Sequence, residues 1–226
     1  MGINIKKISM GKSNSYLIEG KSGLILVDAG MPDKTEILYK VLNKNNFNFK
    51  DISLIIVTHV HNDHVGSLYD IKKRSNAPVL IHKFEEKHLK KGFVKFPKGT
   101  MLFSKIISNI GTKLFFSKEQ FKSTKADIII KNNYNLDKYG VNGQVIHTPG
   151  HTNGSISVIL ENKLCIVGDT FFNWFPNSVY PPFANDEISL VKSWKKIKKY
   201  NCRVFYPGHG KKFGKEKFEK SLDKIL

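Results

Sequence analysis

Short apolar runs bounded by turn residues alternate along the chain with segments of helical periodicity, a pattern that predicts a mixture of strands and helices. The elements predicted for the first half are, in chain order, a hairpin over 15–30 turning at Gly20 to Gly23, a helix over 31–46 with Pro32 near its start, a strand over 54–57, a helix near 69–74 and a strand over 77–82. The second run of the hairpin ends at Asp28, a polar residue directly after an apolar strand.

The second half of the chain repeats this theme. Its predicted elements are a strand over 141–151, a hairpin over 155–170 turning at Glu161 to Lys163, a helix near 186–199, a strand over 203–206 and a short C-terminal helix. Both hairpins run through apolar strands to a terminal aspartate, Asp28 in one and Asp169 in the other. Strands mixed with helices in two similar halves predict an α+β fold in which two sheets pack face to face with helices outside.

Residues 84–125 interrupt the pattern and predict a helical insertion in a single domain that spans 1–226. Lys105 and Lys113 lie off the apolar face of this segment, so the helix is amphipathic. We expect the apolar face to pack in the core, with a cap over a pocket and a membrane-touching helix as alternatives. The apolar positions at helical spacing are Leu102, Ile106, Ile107, Ile110 and Leu114.

The composition is that of a globular protein, with 226 residues of which 40% are hydrophobic. No apolar run is long enough for a membrane span, and the N-terminus has no pattern of a secretory signal. Cys165 and Cys202 are isolated in apolar surroundings, which is typical of reduced core thiols. These features predict a cytoplasmic protein.

The formal net charge of +18 raises nucleic acid as a partner. The basic residues are almost all lysine, with arginine only at Arg74 and Arg203, whereas bidentate recognition of phosphate or guanine favours arginine. The lysines are also spread along the chain. A background rich in lysine, asparagine and isoleucine explains the charge, so we favour a small-molecule substrate and keep nucleic acid as the alternative.

The stretch THVHNDHVG, residues 58–66, places three histidines and an aspartate directly after the apolar strand over 54–57. Buried polar groups need partners, so such a cluster is either solvated or binds something. His59 and His61 point the same way if the backbone stays extended, and Asp63 and His64 follow as the chain turns into a helix. The spacing places two pairs of ligands around one point.

Further polar residues stand at the ends of apolar strands in the second half: His151 in TPGHT, Asp169 in VGDT and His209 in YPGHG. Strand ends of layered sheets converge on one edge, where sites form. Five histidines and two aspartates suit borderline divalent metals, and they are too many for one tetrahedral ion. We predict two divalent ions per chain, Zn²⁺ in preference to Mn²⁺ or Fe²⁺.

The stretch HVHNDH resembles the HxHxDH signature of the metallo-β-lactamase-fold hydrolases, and TPGHT, GDT and PGHG resemble the remaining metal motifs of that superfamily in the same order. The resemblance implies a four-layer αββα sandwich. By position it also implies that one metal is held by His59, His61 and His151, that the other is held by Asp63, His64 and His209, and that Asp169 bridges both.

This resemblance implies a metal-dependent hydrolase in which a metal-bridging hydroxide attacks the substrate. The implied catalytic residues are Asp63, which would also shuttle a proton, and Asp169. Asp28 is expected to order the site through hydrogen bonds to the ligands.

The aromatic stretch 170–183 follows a metal ligand and is expected to line the substrate pocket. The candidate pocket residues are Phe172, Trp174, Phe175 and Tyr180, and either Tyr180 or Tyr206 could donate to a developing oxyanion. The resemblance favours the glyoxalase II and lactonase-like branch, with a small ester, thioester or lactone as substrate. The Gly-Cys-Gly-Arg run of glyoxalase II is missing, which speaks against a glutathione thioester. A phosphodiesterase or nuclease of the same fold is the alternative.

Overall fold

The structure, a computed structural model, describes residues 3–114 and 119–226, of which 111–114 and 119 are described in their main chain only. Within these ranges the strands form two six-stranded sheets and a two-stranded ribbon. The strands are β1 (Ile5–Ser9), β2 (Asn14–Gly20), β3 (Gly23–Val27), β4 (Ile52–Ile56), β5 (Val79–His82), β6 (Phe93–Val94), β7 (Glu119–Gln120), β8 (Ile128–Ile130), β9 (Tyr134–Asn135), β10 (Gly143–His147), β11 (Ile156–Leu160), β12 (Leu164–Asn173), β13 (Val204–Gly210) and β14 (Phe213–Gly214).

The first sheet has the order β1-β2-β3-β4-β5-β8. The predicted hairpin is β2 and β3, and from β3 onward the strands run parallel. Val27 pairs with Ile56 at the carboxyl ends of β3 and β4, so Asp28 and the histidine stretch leave the sheet at the same edge. The edge strands β1 and β8 are additions to the predicted elements.

The second sheet has the order β14-β13-β12-β11-β10-β9. The predicted hairpin over 155–170 is β11 and β12, and its turn residues Glu161 and Asn162 both have φ of 51°. Strand β12 runs parallel to β13, and the register places Phe172 beside His209. The two parallel strands therefore deliver Asp169 and His209 to one end of this sheet.

The described ranges contain seven α-helices. They are α1 (Thr35–Lys44), α2 (Asn62–Val65), α3 (Leu68–Ser75), α4 (Glu86–Lys91), α5 (Leu102–Leu114), α6 (Glu187–Lys198) and α7 (Lys215–Asp223). The predicted start of the first helix near Pro32 is wrong, because Asp33 has φ of 59° and a right-handed helix cannot pass through that conformation. Asp186 accepts a hydrogen bond from the Ser189 N–H and so caps α6.

Buried side chains form three layers of core. The first lies between the helices α1 and α3 and the first sheet, the second between the two sheets, and the third between the second sheet and the helices α6 and α7. Alternation along β3 divides its side chains, since Leu24 and Leu26 face the helices while Ile25 and Val27 face the other sheet. This order of layers confirms the αββα sandwich.

Helix α5 does not pack as the sequence predicts. Leu102, Ile106 and Ile110 are 80%, 51% and 53% exposed, whereas Ser104 and Ser108 are buried. The prediction that the apolar face packs in the core is therefore wrong, because the serines rather than the aliphatic residues face the protein. The side chains of Leu114 and Lys113 lie outside the described residues, and the division of the chain into one domain with an insertion stays a prediction.

None of the helices in the described ranges 3–114 and 119–226 is long and apolar enough to cross a membrane. Cys165 and Cys202 are both buried and free.

Candidate metal centre

The histidine stretch leaves the first sheet in an extended conformation. Strand β4 ends at Ile56, and the backbone is still extended at His61, with φ of −125° and ψ of 154°. The short helix α2 then begins at Asn62 and carries Asp63 and His64 in its single turn. The extended part sends His59 and His61 to one side, and the helical turn sends the next two donors beside them.

Three histidines form the first group of donors. His61 Nδ1 lies 3.1 Å from His59 Nε2 and 3.0 Å from His151 Nε2. All three imidazoles are buried. A tetrahedral ion with metal–nitrogen distances of about 2.0–2.1 Å separates its ligand atoms by about 3.3 Å, so both distances are close to the spacing of ligands around one metal ion.

A second group consists of Asp63, His64 and His209. His209 Nε2 lies 3.1 Å from Asp63 Oδ2, and His64 Nε2 lies 3.9 Å from the same oxygen. Asp63 is the more open of these donors, with a side chain that is 22% exposed. The group therefore combines two nitrogen donors with a carboxylate that solvent can reach.

Asp169 lies between the two groups and faces both. Its Oδ2 is 3.6 Å from His151 Nε2 and 3.8 Å from His59 Nε2. On the other side, Oδ1 is 3.2 Å from His64 Nε2 and Oδ2 is 3.4 Å from His209 Nε2. A carboxylate in this position could ligate two ions at once, which is the arrangement that the resemblance implies.

The two groups of donors differ in the pKa values of their histidines. Burial holds the pKa of His61 and of His151 at about 4, and it places the pKa of His59 well below its usual value. These imidazoles are neutral at pH 7, with lone pairs ready to bind a cation. The first group therefore fits a divalent ion without loss of a proton.

In the second group, the neighbouring carboxylates shift the pKa values of the histidines more strongly than burial does. Burial alone would lower the pKa of His209, but Asp169 and Asp63 raise it to about 9, and Asp169 leads the carboxylates that raise the pKa of His64. In turn the two histidines lower the pKa of Asp63 to about 2 against the effect of burial. A cation binding here would take the place of protons that balance these carboxylates.

Comparison with known proteins shows to which family the chain belongs. Residues 9–209 match the model of the metallo-beta-lactamase superfamily. The chain belongs to the metallo-beta-lactamase superfamily. Together with the two groups of metal donors, this membership makes the chain a metal-dependent hydrolase.

Relatives within the metallo-beta-lactamase superfamily span most of the chain. A probable metallo-hydrolase of Methanocaldococcus jannaschii is 39% identical over 202 residues, which cover 88% of this chain and 87% of that protein. A hydroxyacylglutathione hydrolase of Haemophilus influenzae is 26% identical over 174 residues, covering 76% and 73% of the two chains. The crystal structure of a superfamily protein from Sulfolobus tokodaii has the same fold, with a TM-score of 0.71 at 22% identity over 99% of this chain and 86% of that one.

Asp28 fixes the orientation of His64 in this metallo-beta-lactamase fold. Its Oδ2 lies 2.9 Å from His64 Nδ1, which leaves Nε2 to face the second group. The same carboxylate accepts hydrogen bonds of 2.8 Å from the Thr58 N–H and from the Thr58 hydroxyl. Asp28 therefore joins the ends of β3 and β4 behind the ligands, in the role that the sequence predicts.

Gly208 lets the backbone of β13 approach the metal donors. A Cβ at this position would lie 2.1 Å from Asp169 Oδ1 and 2.7 Å from His64 Cε1. Any side chain would displace the carboxylate that faces both groups, so the PGHG motif needs a glycine here for space.

Glu85 is a buried residue of the site that the sequence analysis missed. Its Oε2 accepts a hydrogen bond of 2.9 Å from the Val60 N–H, and its Oε1 accepts one of 3.0 Å from the Gly154 N–H. Val60 stands between His59 and His61, and Gly154 follows His151, so one carboxylate joins both loops that carry the three-histidine group. Burial raises the pKa of Glu85, while hydrogen bonds from Thr152 and the two amides oppose this shift.

A main-chain carbonyl also orients the first group. Phe183 O lies 2.9 Å from His151 Nδ1, which directs His151 Nε2 toward His61. A backbone acceptor has no signature in the sequence, so no motif could have revealed this contact.

A cavity of about 460 Å³ opens above the donors. Two of the four predicted pocket residues, Phe172 and Trp174, line it, and Phe172 stacks on the ring of His209 at 4.5 Å. Phe175 and Tyr180 lie outside the lining: Phe175 contacts Phe103, and the hydroxyl of Tyr180 donates to Glu187. Further lining residues that the sequence did not predict are Lys12, Met31, Asn62, Phe96, Pro97, Gln120 and Phe183.

Tyr206 also lies away from the cavity lining. Its ring packs between the sheets against Tyr16, with ring centroids 5.6 Å apart. Its predicted alternative role as an oxyanion donor is not supported by this position.

We expect the two groups to differ in how metal affinity depends on pH. His209, with a pKa of about 9, must lose a proton before it can bind an ion. His61 and His151, with pKa values of about 4, are already neutral above pH 5 and have no proton to lose. The affinity of the second group for a metal ion should therefore rise at least about tenfold per pH unit between about pH 6 and 8. The metal affinity of the three-histidine group should stay nearly constant over the same range. Competition with a chromophoric chelator at several pH values measures both, and equal slopes for the two ions would contradict this assignment.

Glu85→Gln should weaken metal binding at the three-histidine group. The amide keeps the size of the side chain, but its NH₂ group must face one of the two backbone N–H donors, leaving a buried donor without its acceptor. We expect a loss of about tenfold or more in affinity for the first ion, measured by metal content after dialysis and by competition titration.

The matched control is Glu86→Gln, since Glu86 is the neighbouring residue and its carboxylate lies 3.8 Å from Lys90 on the surface. This change should leave metal binding as in the wild type. Equal metal affinity in the two variants would show that Glu85 does not position the ligands.

Proposed function

We propose that this metallo-hydrolase is a dinuclear zinc enzyme that cleaves small acyl substrates, either esters, thioesters or lactones. One observation carries the proposal: the two groups of metal donors lie at the base of a cavity whose walls are mainly apolar and aromatic. Such a cavity fits an acyl chain, with the polar carbonyl directed toward the donors.

The lining of the cavity argues against a phosphodiester. Lys12 is the only lysine or arginine among the described residues that line it. Enzymes that bind a nucleic acid backbone neutralise several phosphates at once, and a single cation cannot do this. The other lysines and the arginines of the described residues lie outside the cavity lining. We therefore favour a small acyl substrate over the nucleic acid substrate of the nuclease alternative.

The donor set supports two ions of a borderline metal. Histidine nitrogens and carboxylate oxygens suit Zn²⁺; His59, His61 and His151 would hold one ion, and Asp169 would contact both. When bound, the two ions would supply Lewis acidity and hydroxide near neutral pH. The remaining chemistry belongs to the side chains.

Asp63 is the side chain placed to move a proton. It lines the cavity, its side chain is 22% exposed, and its pKa of about 2 keeps it ionised at neutral pH. The surrounding histidines also lower the pKa of Asp169, but its side chain is only 4% exposed and lies enclosed by histidines. We therefore assign the proton shuttle to Asp63 and the bridging role to Asp169.

The relative from Haemophilus influenzae is named as a hydroxyacylglutathione hydrolase, and this name favours a thioester. The apolar wall of Met31, Phe96 and Phe183 favours an acyl chain in either class.

Turnover of a series of acyl thioesters by the zinc-loaded protein tests the proposal. Burial of each added methylene in the apolar cavity is worth about 0.8 kcal/mol, so kcat/KM should rise by up to about fourfold per methylene until the cavity is full. Trp174→Ala removes part of the wall and should flatten this dependence while leaving the metal content unchanged. Asp169→Ala should lose metal and activity together.

Phe84→Ala serves as the matched control, because Phe84 is 51% exposed and lies outside the residues that line the cavity. It should keep the wild-type dependence on chain length. The panel also holds one lactone and one phosphodiester. Cleavage of the phosphodiester alone, with no turnover of any acyl substrate, would refute the proposal in favour of the nuclease alternative.

A further inference from the structure

Helix α5 presents an apolar face to solvent. The five residues of this face are 43–80% exposed and follow the spacing of one side of a helix. They are Leu102, Phe103, Ile106, Ile107 and Ile110, which we call the α5 face. Helices on protein surfaces normally turn such residues toward the core, so a contiguous exposed apolar face marks an interaction surface.

Buried serines hold the helix in this orientation. Ser108 Oγ donates a hydrogen bond of 3.0 Å to Pro97 O, and Ser104 Oγ donates one of 3.0 Å to Met101 O. Rotation of α5 to bury its aliphatic residues would expose both serines and break the bond to Pro97. The outward direction of the α5 face is therefore built into the contacts of the helix with the protein.

The segment that carries the α5 face is cationic throughout. Residues 87–118 contain eight lysines and no aspartate or glutamate. Lys95, Lys98 and Lys105 are exposed on and beside the helix. An apolar face flanked by lysines without acidic residues is the combination that binds the surface of an anionic bilayer.

We propose that the α5 face docks the protein on an anionic lipid surface. The aliphatic side chains would enter the boundary between headgroups and acyl chains, and the lysines would contact the lipid phosphates. A second copy of this chain fits less well, because a two-fold contact through this face would bring the two cationic segments together. The net charge of +18 adds to that repulsion.

The position of the segment connects this surface with the metal site. Phe96 and Pro97, which precede α5, line the cavity above the donors. Phe103 of the α5 face contacts Phe175, and Trp174 beside it is 51% exposed while it lines the cavity. Docking through the α5 face would thus bring the mouth of the cavity close to the lipid.

Sedimentation with vesicles tests the docking directly and needs no substrate, so its outcome is independent of the proposed hydrolase activity. The vesicles are phosphatidylcholine alone or a mixture of about three parts phosphatidylcholine and one part phosphatidylglycerol. We expect the wild type to sediment with the anionic vesicles, and less so as salt is raised. Ile106→Gln combined with Ile110→Gln should lower this binding about tenfold or more, because two apolar anchors are lost.

The matched control combines Ile129→Gln with Ile188→Gln, since these isoleucines are 43% and 71% exposed but lie on β8 and α6. It should bind vesicles as the wild type does. Absence of binding by the wild type, or equal binding by the two double variants, would overturn the proposal. So would sedimentation of the wild type as a dimer that only the α5 variant disrupts, without vesicle binding, because the α5 face would then belong to a second copy.

Discussion

The buried carboxylate of Asp169 is the constraint on which the rest of the site depends. It is 4% exposed and faces histidines of both donor groups at 3.2–3.8 Å. An ionised carboxylate in the interior needs opposite charge, and the surrounding groups lower its pKa well below the usual value despite its burial. Asp169 and the neighbouring carboxylates raise the pKa of His64 and of His209, so protons on these histidines can supply part of that charge. Two divalent ions would supply it more fully, so the same enclosure that makes the carboxylate costly to bury favours metal binding.

Residues that are not themselves metal donors hold Asp169 and the surrounding histidines in position. Asp28 joins the ends of β3 and β4 and directs His64, and Glu85 joins the two loops that carry the three-histidine group. Gly208 allows the chain to approach Asp169 without a clash. Asp28 and Glu85 both act on the segment that follows β4 of the first sheet, whereas Gly208 lies in β13 of the second sheet, so the two sheets contribute to one site. Apart from Phe172 of β12, the apolar walls of the cavity above the site lie outside the regular helices and strands, where the chain can vary without disturbing the donors.

Side-chain identity made the donors predictable, since each one stands in a short motif at a strand end. The four-layer arrangement was also predictable, because apolar runs and helical periodicity follow the layers. Other features depend on contacts that no motif records. Glu85 and Glu86 are the same residue type, and only the path of the chain into α4 decides that the first is buried. Periodicity revealed an apolar face on α5 but not its direction, which follows from the hydrogen bond of Ser108 to a carbonyl.

The proposed function requires that Asp169 joins two metal ions held by the two donor groups. A crystal structure of the protein grown with zinc, with the ions located by anomalous scattering, tests it most directly. We expect two ions about 3.5–4 Å apart, each within about 2.0–2.2 Å of a carboxylate oxygen of Asp169. A single ion in the site, or two ions of which one does not contact Asp169, would contradict it.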